Sequence, residues 1–183
     1  AGETRFLLSG EVSCIYSKAG AVRRVHHLIY APSFEVADKI NAQLSIIGNL
    51  KSDGRPILGL DSKKLLKILL DSSPEAYLIP AHCWTPWFGI FGSKSGFNSL
   101  SECFEELTPH IFAVETGLSS DPAMNWRIPF LDDKAIVAGM ATWPPVSPAT
   151  GQPFAGTRSS LLILSHQKGR STKQKMERNF GMA

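Results

Sequence analysis

Five polar residues interrupt apolar, strand-like stretches: Glu11 in SGEVS, His26 and His27 in RVHHLIY, His82 in IPAHCW and Glu115 in AVETG. Imidazoles and carboxylates carried on separate strands, and meeting at one barrel mouth, suit divalent ions such as Zn, Mn or Fe(II). Two or three such ions activate a water and clamp a phosphate. No local ligand pair has diagnostic spacing, and a histidine taken singly is more often a core residue than a ligand. The argument for chemistry therefore rests on these residues falling inside or at the ends of separate apolar strands.

The stretch around His82 adds a second signal. Residues 76–97, AYLIPAHCWTPWFGIFGSKSGF, start as a short buried strand and deliver His82 into a loop with Trp84, Trp87, Phe88, Phe91 and Lys94. A long aromatic, glycine-rich loop at the carboxyl end of a buried strand is where α/β enzymes hold ligands. The competing reading is an aromatic cluster that packs against a core histidine.

The elements that must position these groups follow from pattern. Residues 5–16 and 21–30 are rich in β-branched and aromatic types and are joined by SKAG, which predicts a hairpin. Pro32 and Ser33 open a helix with Val36, Ile40, Leu44 and Ile47 at helical spacing, ended by Gly48 or Asn49. A turn-rich link leads to Asp61 as N-cap of SKKLLKILLDS. Ser99 and Glu102 form a capping-box pattern before LSECFEEL. His110–Glu115 and Lys134–Val137 read as further strands. Strand, helix and strand in alternation from residue 30 predict an α/β fold with parallel strands and the first hairpin at one edge.

Composition bounds the rest. With 183 residues, 43% hydrophobic, one sizeable core is expected. No apolar run approaches the roughly 18 residues of a membrane span, and AGETRFLLSG lacks the basic and apolar regions of a signal peptide, so a soluble chain is expected. Cys14, Cys83 and Cys103 form no close pair, which predicts reduced thiols and a cytoplasmic location. The pI of 8.8 is uneven in origin. Of 19 Lys and Arg and 16 acids, six basic residues and Glu177 alone fall in 158–183, leaving 13 basic against 15 acidic residues before them. The basic balance belongs to the tail and says little about the body's partner.

The segments GEVSCIYSKAGAVRRVHHLIYAPS, KINAQLSIIGNLKSDGRPILGLDSKKLL and IPAHCWTPWFGIFGSKSGFNSLSECFEELTPHIFAVETGLSSDPAMNW resemble the PHP (polymerase and histidinol phosphatase) superfamily, and within it the endonuclease Q-like branch. The resemblance runs nearly unbroken from about residue 5 to 134. It implies a distorted β/α barrel with a metal cluster at the C-terminal strand ends. Glu11 matches the motif Glu of G-x-E, His26 the His of an H-x-L strand and His82 the His of the P-A-H strand. Glu115 lies where the family places another site carboxylate. These four are the implied metal ligands, with no catalytic residue beyond them. His27, one residue from His26, points to the other face of its strand. The implied reaction is metal-assisted hydrolysis of DNA, nicked 5′ of deaminated bases, with Zn, Mn or Fe as cofactor. Trp84, Trp87 and Phe88 are then the stacking candidates and Lys94 a phosphate contact.

The chain also departs from that family. An H-x-H strand and an aspartate-bearing segment are expected ahead of residue 1, and an S-D-x-H is expected after 134–137, where AGMATWPP stands. Shifting the frame at codons 139–142 permits Asp-Gly-His from the same bases, which makes residues 138–183 an expected out-of-frame product. The resulting expectation is a partial barrel over 1–137 and an irregular, proline-rich then basic tail over 138–183, with at most a short strand at SSLLILS. The function expected is endonuclease Q-like nicking, impaired in such a fragment. The alternatives are a PHP phosphoesterase on a small phosphate ester and a non-catalytic DNA-binding remnant.

Overall fold

Ala19 and Gly20 both adopt positive φ, at 51° and 74°, and so close a two-residue turn whose twist suits flanking antiparallel strands. The turn joins β1 (Leu8–Lys18) to β2 (Ala21–Ala31), paired from Leu8↔Ala31 through Lys18↔Ala21. This computed structural model describes residues 8–51, 55–116, 120, 122–139 and 161–164. After the hairpin come α1 (Phe34–Ile47), β3 (Ile57–Leu58), α2 (Ser62–Ser72) and β4 (Tyr77–Pro80). Then follow α3 (Leu100–Phe104), a 3-10 segment (Glu105–His110), β5 (Ala113–Glu115), α4 (Pro122–Trp126), a 3-10 turn (Pro129–Leu131), β6 (Ala135–Gly139) and β7 (Leu161–Leu164).

The fold is mixed α/β, but its strand directions differ from expectation. One sheet has the order β3-β1-β2-β4, the other β5-β6-β7. The first hairpin is therefore the centre of its sheet rather than an edge. Among the strands of the described residues β1–β3 and β5–β6 are parallel, while β1–β2, β2–β4 and β6–β7 are antiparallel. The reason lies in the link SDGRPILGL. Its Ile57 and Leu58 form a strand too short to leave a pattern, and Ser13 N donates to Pro56 O at 2.9 Å to zip it onto β1. That covers the flank of β1, and β4 takes the flank of β2.

Strand alternation splits the hairpin into two faces. Val12, Cys14, Val25 and His27 point inward, onto Leu58 and the apolar faces of α1 (Ile40, Leu44) and α2 (Leu65, Leu66, Leu69). Both helices start where their caps direct. Ser33 Oγ accepts from Val36 N, and Asp61 Oδ1 accepts from Lys63 N at 2.7 Å. Ser99 Oγ accepts from Glu102 N at 3.1 Å, whereas the Glu102 carboxylate takes Asn98 N, one residue further back than a capping box requires. The 3-10 segment Glu105–His110, with Pro109 inside it, shortens the expected strand 110–115 to three residues. A second buried group, Tyr30, Tyr77, Ile79, Ala113 and Val137, lies across β2, β4, β5 and β6.

β6 runs through residues 138 and 139, and β7 occupies Leu161–Leu164 within SSLLILS; the rest of 138–183 lies outside the described residues. The three cysteines are buried free thiols. No helix among the described residues is long and apolar enough to cross a membrane.

Candidate metal centre

The outer face of the hairpin carries the site. Ser13 pairs with His26 in the register, so Glu11, two residues earlier on β1, stands diagonally across from His26 on the same face. β4 ends at Pro80, and Ala81 N still donates to His26 O at 3.0 Å, so the next residue, His82, leaves the sheet beside His26. Glu11 Oε1 lies 3.3 Å from His26 Nδ1, and His26 Nδ1 lies 2.9 Å from His82 Nε2. One ligand atom from each of Glu11, His26 and His82 falls within 4.8 Å of the others.

His82 is held there at a backbone cost. Its φ is 29°, a conformation that a non-glycine residue adopts only when its surroundings impose it. Its N–H donates to Glu115 Oε2, and its carbonyl accepts from Thr85 N and Thr85 Oγ1, both at 3.0 Å. Cys83 N also donates to Glu115 O at 2.8 Å, tying the loop to β5. Glu115 Oε2 stays 3.8 Å from His82 Nδ1, on the far side of the ring from His26. The structure thus brings Glu11, His26 and His82 together and places Glu115 behind His82 as its support.

The aromatic loop turns back and is held against β2 beyond the end of β4, through a parallel bridge between Val25 and Phe88. His26 N donates to Phe88 O at 2.9 Å, Arg24 N to Ser95 O at 3.2 Å, and Ser95 Oγ to Arg24 O at 3.1 Å. This sets Phe88, with φ 64°, flat on the His26 ring at 4.3 Å between centroids. Close backbone packing makes the loop rigid: a Cβ on Gly92 would sit 2.4 Å from Thr85 O. The four expected DNA contacts take different positions. Trp87 is 49% exposed, with the Arg24 guanidinium 5.3 Å from its ring centre. Lys94 is exposed. Phe88 is half-buried on His26, and Trp84 is half-buried, donating Nε1–H to Asn125 Oδ1 at 2.7 Å and leaning on Phe91.

Electrostatics favour ligand-competent forms. Burial, and then the neighbouring His26, pull the His82 pKa down to about 4, leaving the ring neutral at neutral pH. Burial alone would raise the Glu11 pKa, but the adjacent His26 and the Arg55 guanidinium outweigh it and hold the carboxyl below its usual range. Arg55 Nε is 3.0 Å from Glu11 Oε1, and neither atom has an aligned hydrogen bond among the described residues. Two imidazoles and one carboxylate, whose buried Oε1 has no hydrogen bond among the described residues, fit a divalent cation with N/O preference.

His27 lies on the opposite face, wholly buried. Its Nε2 is 2.8 Å from Ser62 Oγ, which also accepts from the Tyr16 hydroxyl at 2.9 Å. Pattern reading passed over Arg24, Arg55, Thr85 and Asn125. Arg55 sits in a Gly-Arg-Pro link that reads as a turn, and nothing local announces that the link lies alongside Glu11.

Comparison with known proteins divides the chain. The family model described as acetyl co-enzyme A carboxylase carboxyltransferase-like matches residues 127–183. The acetyl-coenzyme A carboxylase carboxyl transferase subunit alpha of Haemophilus influenzae (strain 86-028NP) is 41% identical over 73 residues, 40% of this chain and 17% of the relative. The corresponding subunit of Vibrio parahaemolyticus (serotype O3:K6) matches with the same identity and coverage. Among solved structures, the lesion-specific endonuclease PfuEndoQ from Pyrococcus furiosus superposes with a TM-score of 0.59 at 22% identity, covering 71% of this chain and 29% of that one. The expectation of an out-of-frame tail is corrected by these matches, because a stretch read in the wrong frame has no reason to match a family model over 127–183. Glu11, His26, His82 and Glu115 all precede that stretch, and the fold that holds them is similar to that of a lesion-specific endonuclease.

Proposed function

We propose that the part of the chain before residue 127 is the site-bearing portion of a PHP-type β/α barrel. We assign it metal-dependent hydrolysis of phosphodiesters in DNA, nicking beside deaminated bases. The observation that supports this best is the convergence of Glu11, His26 and His82 within 4.8 Å, at the foot of a rigid loop with an exposed tryptophan. These three residues would hold a divalent ion, with Glu115 fixing His82 from behind. When bound, such an ion supplies Lewis acidity toward a phosphate oxygen and lowers the pKa of water. The chain's own residues do the remaining work. Phe88 keeps the His26 ring in plane, Trp87 offers a face on which a base stacks, and Arg24 and Lys94 counter backbone charge. We place it in the cytoplasm, a reading supported by the three buried free thiols.

The test uses the full chain with Mn2+, on uracil-containing and undamaged oligonucleotides and on p-nitrophenyl phosphate. Uracil-dependent nicking, lost with EDTA and in His26→Ala, is expected. Hydrolysis of the small ester alone would move the assignment to a phosphoesterase, and DNA binding without nicking would leave a binding remnant.

A second reading comes from the match at 127–183, which favours a piece of a carboxyltransferase alpha-like subunit. On that reading β6 and β7 are borrowed strands, and the chain assembles with carboxyltransferase partners. Co-purification with such a partner, together with absence of Mn2+ binding, would favour it over the nuclease.

A further inference from the structure

We propose that Arg55 is a phosphate-binding residue, held beside Glu11 until a cation takes its place and then free to clamp the phosphate of a phosphodiester. The inference rests on the metal-dependent reading and names how that site would hold its substrate. Four observations carry it. Arg55 Nε approaches Glu11 Oε1 at 3.0 Å, and the same oxygen faces His26 Nδ1 at 3.3 Å, so the guanidinium stands at the position of a competing cation. The contact is a charge contact without an aligned hydrogen bond, which makes it exchangeable. The Arg55 side chain remains 37% exposed beside an otherwise shielded cluster. Its backbone, by contrast, is anchored: Pro56, the next residue, accepts from Ser13 N at 2.9 Å, two residues along β1 from Glu11.

The chemistry follows from charge. A divalent ion on Glu11 and a guanidinium on the same oxygen repel each other, so metal entry displaces the arginine from the carboxylate. The short anchored segment keeps it next to the cluster. A planar fork of N–H donors next to a divalent ion is the arrangement that matches phosphate oxygens in pairs. Arg24, on β2 with its guanidinium 5.3 Å from the Trp87 ring centre, serves the nucleic-acid face of the loop rather than the cluster.

The experiment measures Mn2+ binding, and then inorganic phosphate binding to the Mn2+-loaded full chain, by calorimetry in the parent, Arg55→Gln and Arg55→Lys. Circular dichroism establishes that each variant is folded. Arg55→Gln is expected to bind Mn2+ at least as tightly as the parent, because a competing cation is gone, and to bind phosphate about 10- to 100-fold more weakly. Arg55→Lys, which keeps charge without the fork, should fall between the two. If the parent binds no Mn2+, the metal reading fails and the proposal falls with it. If the parent binds both and Arg55→Gln keeps its phosphate affinity, Arg55 alone is wrongly assigned. A loss of Mn2+ binding in both variants makes Arg55 a support for Glu11 and likewise overturns the clamp.

Discussion

His27 offers a quantitative check on how the hairpin packs. It is 0% exposed, its Nε2 meets Ser62 Oγ at 2.8 Å, and its Nδ1 has no hydrogen-bond partner among the described residues. A second proton on this ring would find no acceptor. Burial, followed by the adjacent His26 and His82, accordingly pulls its pKa from 6.5 to about 3. Because the folded value is depressed, the unfolded chain takes up the proton first as pH falls. The neutral ring's contribution is thus complete above pH 6.5 and drains away between 6.5 and about 3. From pH 7 to pH 5 the unfolded histidine becomes almost fully protonated while the folded one does not, which removes about 2 kcal/mol. That figure hardly depends on the folded pKa so long as it stays below about 4. His82, depressed to about 4, loses a similar amount over the same range. Urea unfolding at pH 7 and pH 5 should show the parent losing about 4 kcal/mol from the two rings and His27→Gln, which holds an amide at the reach of Nε2, losing about 2 kcal/mol. The variant's stability at pH 7 does not enter, since only the difference between pH values is compared. Equal losses in parent and variant would mean that His27 is not held neutral inside the fold, and the two-faced hairpin would be wrong.

Other outcomes follow from single contacts. Trp87→Ala should leave thermal stability within about 0.5 kcal/mol of the parent, because the ring is half-exposed. It should weaken single-stranded oligonucleotide binding by roughly 5- to 100-fold in fluorescence anisotropy, and unchanged affinity would remove Trp87 from the binding face. Gly92→Ala forces a Cβ to 2.4 Å from Thr85 O and 2.6 Å from Pro86 O, so a loss of about 2 kcal/mol is expected in urea unfolding. A parent-like unfolding curve would contradict the loop's packing. Val137→Asp buries a charge among Tyr30, Tyr77, Ile79 and Ala113 and should cost about 3 kcal/mol or more. If stability is unaltered, β6 does not belong to this core.

Val137 matters because it lies within the stretch that matches carboxyltransferases, yet β6 pairs with β5 from Ala113↔Ala135 to Glu115↔Val137. Thr116 N donates to Val137 O at 3.0 Å, directly after Glu115. The carboxyltransferase-like segment thus helps to fix the strand that supports His82, even though it brings no ligand to the cluster among the described residues.

Much of the local structure is legible in residue types, since it depends on near neighbours. The turn at Ala19–Gly20, the Ser33, Asp61 and Ser99 caps, the buried run at 77–80 and the opposite facing of His26 and His27 all follow from short-range sterics, hydrogen bonding and strand period. So does the list of polar residues on apolar strands. Tertiary structure alone decided which of them meet. Glu11, His26 and His82 converge because the hairpin register and the end of β4 bring residues 71 positions apart onto one face. Glu115 falls behind His82 because Cys83 N bonds its carbonyl and His82 N its carboxylate, which sets the end of β4 against the end of β5. Arg55 reaches the cluster only through a two-residue strand too brief to mark the sequence. Pairing between distant strands is set by which hydrophobic faces can be buried together, and that competition is settled by the whole chain at once.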